Sequence, residues 1–418
     1  MQATVVEKPT RDLRGIAIGI IALMAAAGMI LLALGKQELQ STFVLTSQRA
    51  GITIAAPDLV VPTFTTLIIL GVIAGGIGFW QVFRGFKTSD WIIVVVAGLA
   101  ILAFLVWATT DKSLNLTGML VSSIIRATPI ALAALSGIYS ERSGVVNIGI
   151  EGMMLMGAFT SVVFASITQN MLVGVIAGIL AGMLLGALHA VLSIKYKVNQ
   201  IISGTGIIIL ALGLTSYLQR SVLNVFPNLN QPGPAIPALP IPFLWKIPVL
   251  GPVFFNLSPI IYTLFFLLIV TQVLMNKTRW GLRVRSVGEH PKAADTLGIN
   301  VFRIRYISVL ISGAIAGLAG SYISIGSAGR FNEGMTAGKG FLGLAAMIFG
   351  NWNPFGAFAG SLIFGFFDSW QEKLALLQVG IPIDLLGMAP YIATMVVLAG
   401  FIGRARMPAA DGQPYEKE

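Results

Sequence analysis

Three ionisable residues, Arg126, Glu151 and Asp368, interrupt or close long apolar runs. In a bilayer an unpaired charge at such a position costs about 3 kcal/mol or more, so these side chains must face protein or a water-filled path. Asn147 and Glu151 stand four apart in NIGIEGMMLMGAF and are expected to share one helix face. That face either lines a translocation path or forms a buried polar clamp between two helices. His189, alone beside a run of glycines, reads as a clamp. Glu141 and Arg142 in YSERSGVVNIG fall where one apolar run ends and the next begins; they either fix a tight turn or form a surface charge pair.

Covalent chemistry has little to work with. There is no cysteine, and His189 and His290 are the only histidines, which excludes thiolate nucleophiles and any histidine-rich metal site. No metal ligands are assigned. The nearest approach to a G-x-x-x-x-G-K-[ST] phosphate loop is Gly338-Lys339, but Glu333 stands where the first glycine belongs and Gly340 replaces the hydroxyl residue. No nucleophile and base stand at motif spacing either. The chain is expected to be no enzyme and to bind no cofactor.

The elements that position these residues are membrane helices. Of the 418 residues 56% are hydrophobic and 11% charged, against about 25% charged in soluble domains. Runs long enough to cross a hydrocarbon layer recur along the chain. They are read at Gly15 to Leu34, Leu59 to Phe83, Trp91 to Ala108, Leu116 to Ile138, Val146 to Ile167, Met171 to Ile194, Ile201 to Leu218, Pro259 to Met275, Ile304 to Ile325, Phe341 to Phe349, Phe355 to Phe367 and Leu385 to Ile402. The first exceeds a signal-peptide core and is kept as a span. The runs from Phe341 and Phe355 are short enough to be half-helices or a re-entrant pair. The expectation is an all-α integral membrane protein, a polytopic bundle of ten to twelve spans.

The net charge of +10 lies in short segments between apolar runs, as orientation signals do, which argues against nucleic acid as a partner and for membrane lipid. Lys8, Arg11 and Arg14, Arg84 with Lys87, Lys195 with Lys197, and Arg404 with Arg406 fall on one side of a twelve-span count. So does the richest segment, Asn276 to Arg305, with seven basic residues against Glu289 and Asp295. Both termini are expected in the cytoplasm. On the opposite side, Arg220 to Leu257 carries eight prolines and reads as an ordered external loop. The domain reading is a single transmembrane domain over 1–418, with cytoplasmic tails at 1–14 and 404–418, an external loop at 220–257 and a cytoplasmic loop at 276–303.

Gly174, Gly178, Gly182 and Gly186 recur every fourth residue, a ridge that lets a neighbouring backbone approach closely. Gly313 with Gly317, and Gly356 with Gly360, repeat the device. A compact bundle follows.

Within the basic segment, GLRVRSVGEHPKAADTLGIN reads as a miniature helix: Pro291 at the first position, two turns from Lys292 to Leu297, and Gly298 closing it. Ala293 and Ala294 suit close seating in a groove, Leu297 and Ile299 offer apolar contact, and Arg283 and Arg285 add orienting charge. The other reading is an interfacial helix resting on anionic lipid.

This stretch and ATPIALAALSGIYSERSGVVNIGIEGMMLMGAF, Ala127 to Phe159, closely resemble the permease subunits of bacterial nucleoside and simple-sugar ATP-binding cassette (ABC) importers, relatives of branched-chain amino acid and ribose permeases. The similarity runs from about Leu116 to the carboxyl end. The resemblance implies a type II importer-like permease in the bacterial cytoplasmic (inner) membrane. It implies as partners an ABC ATPase subunit that hydrolyses the ATP, a second permease subunit, and an external substrate-binding protein or lipoprotein. It makes the second stretch the coupling helix, with Arg283, Arg285, Gly288, Glu289, Pro291, Ala293, Ala294, Leu297 and Gly298 as its residues. Nucleosides are the implied cargo. Such a solute needs apolar or aromatic faces and neutral polar groups, for which Asn147, Glu151, Phe159, Asn199, Ser203, Thr205 and Phe341 are the path candidates. The rival mechanism is an ion-coupled secondary transporter using Glu151, Arg126 and Asp368.

Overall fold

The computed structural model describes residues 13–49, 52–86, 90–234, 236–388, 391, 392, 395 and 406–417. The chain, read above as one domain, divides into two compact units, 1–118 with 371–388 and 399–401, and 119–370 with 389–398 and 402–418.

In the first unit α1 (Leu13–Ala33) is followed by β1 (Gln40–Val44), β2 (Ser47–Arg49), β3 (Ile52–Ile54) and β4 (Leu59–Pro62), then α2 (Thr63–Phe83), α3 (Asp90–Ala108) and β5 (Ser113–Asn115). A three-stranded sheet runs in the order β4-β1-β5, and β2 pairs with β3. The predicted span from Leu59 therefore starts four residues late. Val60 and Val61 suit a strand, and α2 begins directly after Pro62, which cannot donate to a preceding turn. Small residues bring α1 and α2 together, since a Cβ on Gly78 would meet the Gly19 carbonyl at 2.9 Å.

The second unit holds α4 (Leu116–Glu141, entering it at Met119), α5 (Ile150–Thr168), α6 (Met171–Ala190) and α7 (Gln200–Leu218). Both α6 and α7 run on into π-helical turns, Val191–Lys195 and Gln219–Leu223. The proline-rich segment is ordered as expected of its composition, with 3-10 turns at Pro227–Asn230 and Leu244–Lys246, α8 (Leu250–Phe254), and β6 (Leu239–Pro240) paired to β7 (Asn256–Leu257). It is pinned by Tyr262, whose hydroxyl donates to the Leu239 carbonyl and accepts from the Leu257 amide. Then come α9 (Pro259–Lys277), α10 (Arg279–Glu289), α11 (Pro291–Thr296) and α12 (Val301–Ser321), which continues as π-helix through Ala328. Last are α13 (Lys339–Phe349), α14 (Pro354–Leu376, whose end belongs to the first unit) and α15 (Ile383–Gly387).

Among the described residues nine helices are long and apolar enough to span a bilayer. The eleven residues of α13 reach only about 16 Å at 1.5 Å per residue, half a hydrocarbon layer. The run from Phe355, expected to be short, is part of the 23-residue α14, which continues past Asp368. The last expected span, Leu385 to Ile402, lies mostly outside the described residues, as do Lys8, Arg11, Lys87 and Arg404.

The core of the second unit is built mainly from α4, α5, α9 and α12, and α6 meets α12 along their glycines. A Cβ at Gly182 would land on the Gly313 carbonyl and the Gly317 backbone, and one at Gly186 on Val309 and Gly313. Gly178 meets the Gly157 carbonyl of α5, and Gly174 meets Ser161 and Ala165. Glycine spacing in α6 thus joins three helices by backbone contact.

Candidate functional site

Two places concentrate polar groups that the fold has gone out of its way to bury or display. The first is inside the bundle. Glu151, only 7% exposed, accepts hydrogen bonds from the backbone amides of Gly338 (2.8 Å) and Gly340 (2.6 Å). Its carboxylate thus covers the amino terminus of the half-helix α13, satisfying donors that no helix can satisfy internally and meeting the positive end of the dipole. A Cβ on Gly340 would collide with Glu151, so the glycine is what lets the carboxylate in.

Asn147 does not share a helix face with Glu151, because α5 begins only at Ile150. It lies in the turn before, fully buried, and donates to Ser312 Oγ (3.0 Å), which also bonds Ser136 (2.9 Å). That turn is held by His189, as the clamp reading expected, and by Gln200, whose role the sequence did not disclose. The Val146 amide donates to Gln200 Oε1 (2.6 Å) and its carbonyl accepts from His189 Nε2 (2.9 Å), while His189 Nδ1 meets Ser203 Oγ (3.0 Å). The signal for His189 was its isolation in an apolar run; Gln200, Ser136 and Ser312 left none.

The remaining path candidates do not converge with these. Phe159 is buried edge-to-face on Phe331, ring centroids 5.2 Å apart. Asn199 is the amino-terminal cap of α7, accepting from Ile201 and Ile202. Thr205 bonds its own helix at Ile201, and Phe341 is exposed. Arg126 of α4 pairs with Asp368 of α14 at 3.2 Å, each side chain about a third exposed.

The second place is the segment between α9 and α12. Thr278 caps α10 by accepting from Gly281 (3.1 Å). Gly281, Val284, Val287 and Gly288 form the buried stripe of α10 at helical spacing, leaving Leu282, Arg283 and Glu289 exposed and Arg285 half-buried. The miniature helix is present as α11, with Pro291 at its start and Gly298 at φ +79° closing it, a conformation that favours glycine. It is joined to a second helix, α10. Ala293 and Leu297 (82% exposed) are displayed, but Ala294 is 2% exposed and packs inward. It seats α11 on the bundle rather than in a partner. Gly288 is required because a Cβ there would strike the Arg142 carbonyl.

Glu141 and Arg142 are not the surface pair that was the simpler expectation. Glu141 is buried and accepts from Trp352 Nε1 (2.7 Å), while Arg142 donates to the carbonyls of Asn351 and Trp352 (3.2–3.3 Å). Burial, and next the neighbouring Arg285, hold the Arg142 guanidinium below its usual pKa, with Glu289 opposing. Together the two residues tie the end of α4 to the turn between α13 and α14.

A multi-pass helical bundle with a clamped half-helix inside and two short helices displayed at one end defines a membrane permease. Residues 119–403 match the family described as the branched-chain amino acid transport system permease component, and the chain belongs to that family. The match begins where the second unit begins. The chain is 42% identical over 307 residues to the guanosine ABC transporter permease protein NupQ of Bacillus subtilis, covering 71% of this chain and 95% of that one. It is 41% identical over 317 residues to the nucleoside ABC transporter permease protein NupC of Lactococcus lactis, covering 70% and 95%. A putative glucose ABC transporter permease protein of Haloferax volcanii is 32% identical over 329 residues, covering 72% and 98%. No solved structure matches.

Proposed function

We propose that this chain is the membrane-spanning subunit of an ABC importer for nucleosides, working by alternating access with a separate ATPase that hydrolyses the ATP. A second permease subunit and an external substrate-binding protein or lipoprotein complete the assembly in the cytoplasmic membrane. The displayed faces of α10 and α11 dock the ATPase through Arg283, Glu289, Ala293 and Leu297. Both termini are cytoplasmic, and the proline-rich segment is external. In support, the 19 residues of α9 separate that segment from α10 by about 28 Å at 1.5 Å per residue, a hydrocarbon thickness.

One observation carries the preference for a neutral solute. A zwitterionic amino acid needs a half-helix amino terminus or a cation to receive its carboxylate. Here both are occupied by carboxylates of the chain itself, Glu151 on α13 and Asp368 on Arg126. The same pairing argues against ion-coupled transport through these residues. The names of the bacillar and lactococcal relatives favour nucleosides; the haloarchaeal relative keeps simple sugars as a second reading. Radiolabelled uptake by cells carrying the full complex tests this, with unlabelled adenosine, guanosine, uridine, ribose and leucine as competitors. Nucleosides are expected to compete. Competition by ribose or leucine and by none of the nucleosides overturns the substrate.

A further inference from the structure

Residues 406–417 cross the same end of the second unit as α10 and α11, and they are fastened to several elements in turn. The Arg406 amide donates to Asn351 Oδ1 (2.9 Å), beyond α13. The Ala409 amide donates to Glu289 Oε2 (3.2 Å) and the Ala410 amide to the Gly288 carbonyl (2.8 Å), the last two residues of α10. Arg305 of α12 donates from Nη1 to the Gln413 carbonyl (2.9 Å). The Tyr415 ring packs against Phe302 of α12, centroids 5.4 Å apart. Glu416 pairs with Lys197, and Lys417 approaches Asp295 of α11 at 3.9 Å.

The position of these bonds matters more than their number. Helix α10 ends at Glu289 and α11 starts at Pro291, so the two meet at a one-residue elbow, His290, in extended conformation with φ −141° and ψ 81°. A load on α11 would bend such a joint before it moved anything beyond. The segment 406–417 bonds the two residues just before the elbow and, a few residues on, the first turns of α12. It therefore bridges the joint. Its attachment is uneven. Asp411 lies buried between these anchor points, and Nε and Nη2 of Arg305 are buried without a hydrogen bond. Buried groups left so weaken the seat, which therefore depends on the backbone bonds at Gly288 and Gln413 and on the Tyr415 ring.

We infer that residues 406–417 are a positioning strap for coupling: they stiffen the α10–α11 elbow so that movement of the docked ATPase is delivered to α12. This rests on the coupling reading of α11 given above. Helix α12 is the appropriate recipient, because its glycines lie against α6 and any displacement of it moves its neighbours too.

The test uses the full complex in proteoliposomes and counts ATP hydrolysed per solute imported. Three chains are compared with the natural one: Tyr415→Ala, Tyr415→Phe, and a chain ending at Met407. Loss of the strap is expected to raise ATP per solute by about fivefold or more, the lower end of measured site-to-site couplings, with the ATPase still co-purifying. Tyr415→Ala should do the same, and Tyr415→Phe, which keeps the ring, should restore the natural ratio. An unchanged ratio in both the shortened chain and Tyr415→Ala overturns the inference. So does loss of ATPase co-purification with the ratio of the surviving complexes unchanged, because that result assigns the strap to assembly alone. Ala293→Trp serves as the separate control. If it leaves the ratio natural, the docking reading of α11 has failed, whatever the strap variants do.

Discussion

Asp411 is a carboxyl group whose charge is felt by Glu141 of α4 and Arg305 of α12. Burial pushes it up to about 7 from an ordinary 3.8, against the pull of the Arg305 charge. A carboxyl that holds its proton better when seated than when free favours seating at low pH. That advantage declines as pH rises from 3.8 to about 7 and is gone above it. Hydrogen exchange across residues 406–417, corrected for intrinsic rates, should therefore show stronger protection at pH 5.5 than at pH 8. Asp411→Asn should flatten the difference; a profile equally steep in that variant would place the titration elsewhere. None of this was legible in the sequence, where Asp411 belongs to a short polar tail with no pattern to mark it as buried. Glu151 was legible as a group needing a partner. Its partner was not, because backbone amides 187 and 189 residues away leave no trace in side-chain spacing. Asn147 misled for a local reason: the spacing of four matched a helix, but the helix begins after it.

At the scale of elements, hydropathy located the spans to within a few residues, because a bilayer imposes apolar length directly. It was silent on the π-helical extensions of α6, α7 and α12, which depend on backbone hydrogen bonding rather than composition. It was equally silent on the strands flanking α2. The glycine ridge was legible, and the structure shows the backbones it faces. Gly182→Val should accordingly destabilise the chain by at least about 1–3 kcal/mol, the usual range for an overpacked site, since the atoms its side chain would strike are backbone and cannot yield. Gly206→Val, with nothing within 4 Å of the added carbon, should be nearly silent. Thermal unfolding of the two purified variants in one detergent compares them directly, and equal midpoints would refute the packing argument.

For the whole molecule, the absence of a phosphate loop from the full sequence makes the catalytic expectation simple. The purified chain should hydrolyse no ATP, and turnover that persists after every contaminating ATPase has been removed would contradict it. The family match begins at the first residue of the second unit, so the apparatus common to the relatives starts there, and residues 1–118, which carry the sheet, precede it. Within that apparatus, α5, α6 and α12 approach closely along their glycines, with little more than backbone and small side chains such as Ser161, Ala165 and Ser321 between them. Helices packed this closely have little free space to take up a relative displacement. The expected consequence is that the three swing as a single plank, with the doorway for the cargo along one of its outer edges and not at a seam inside it.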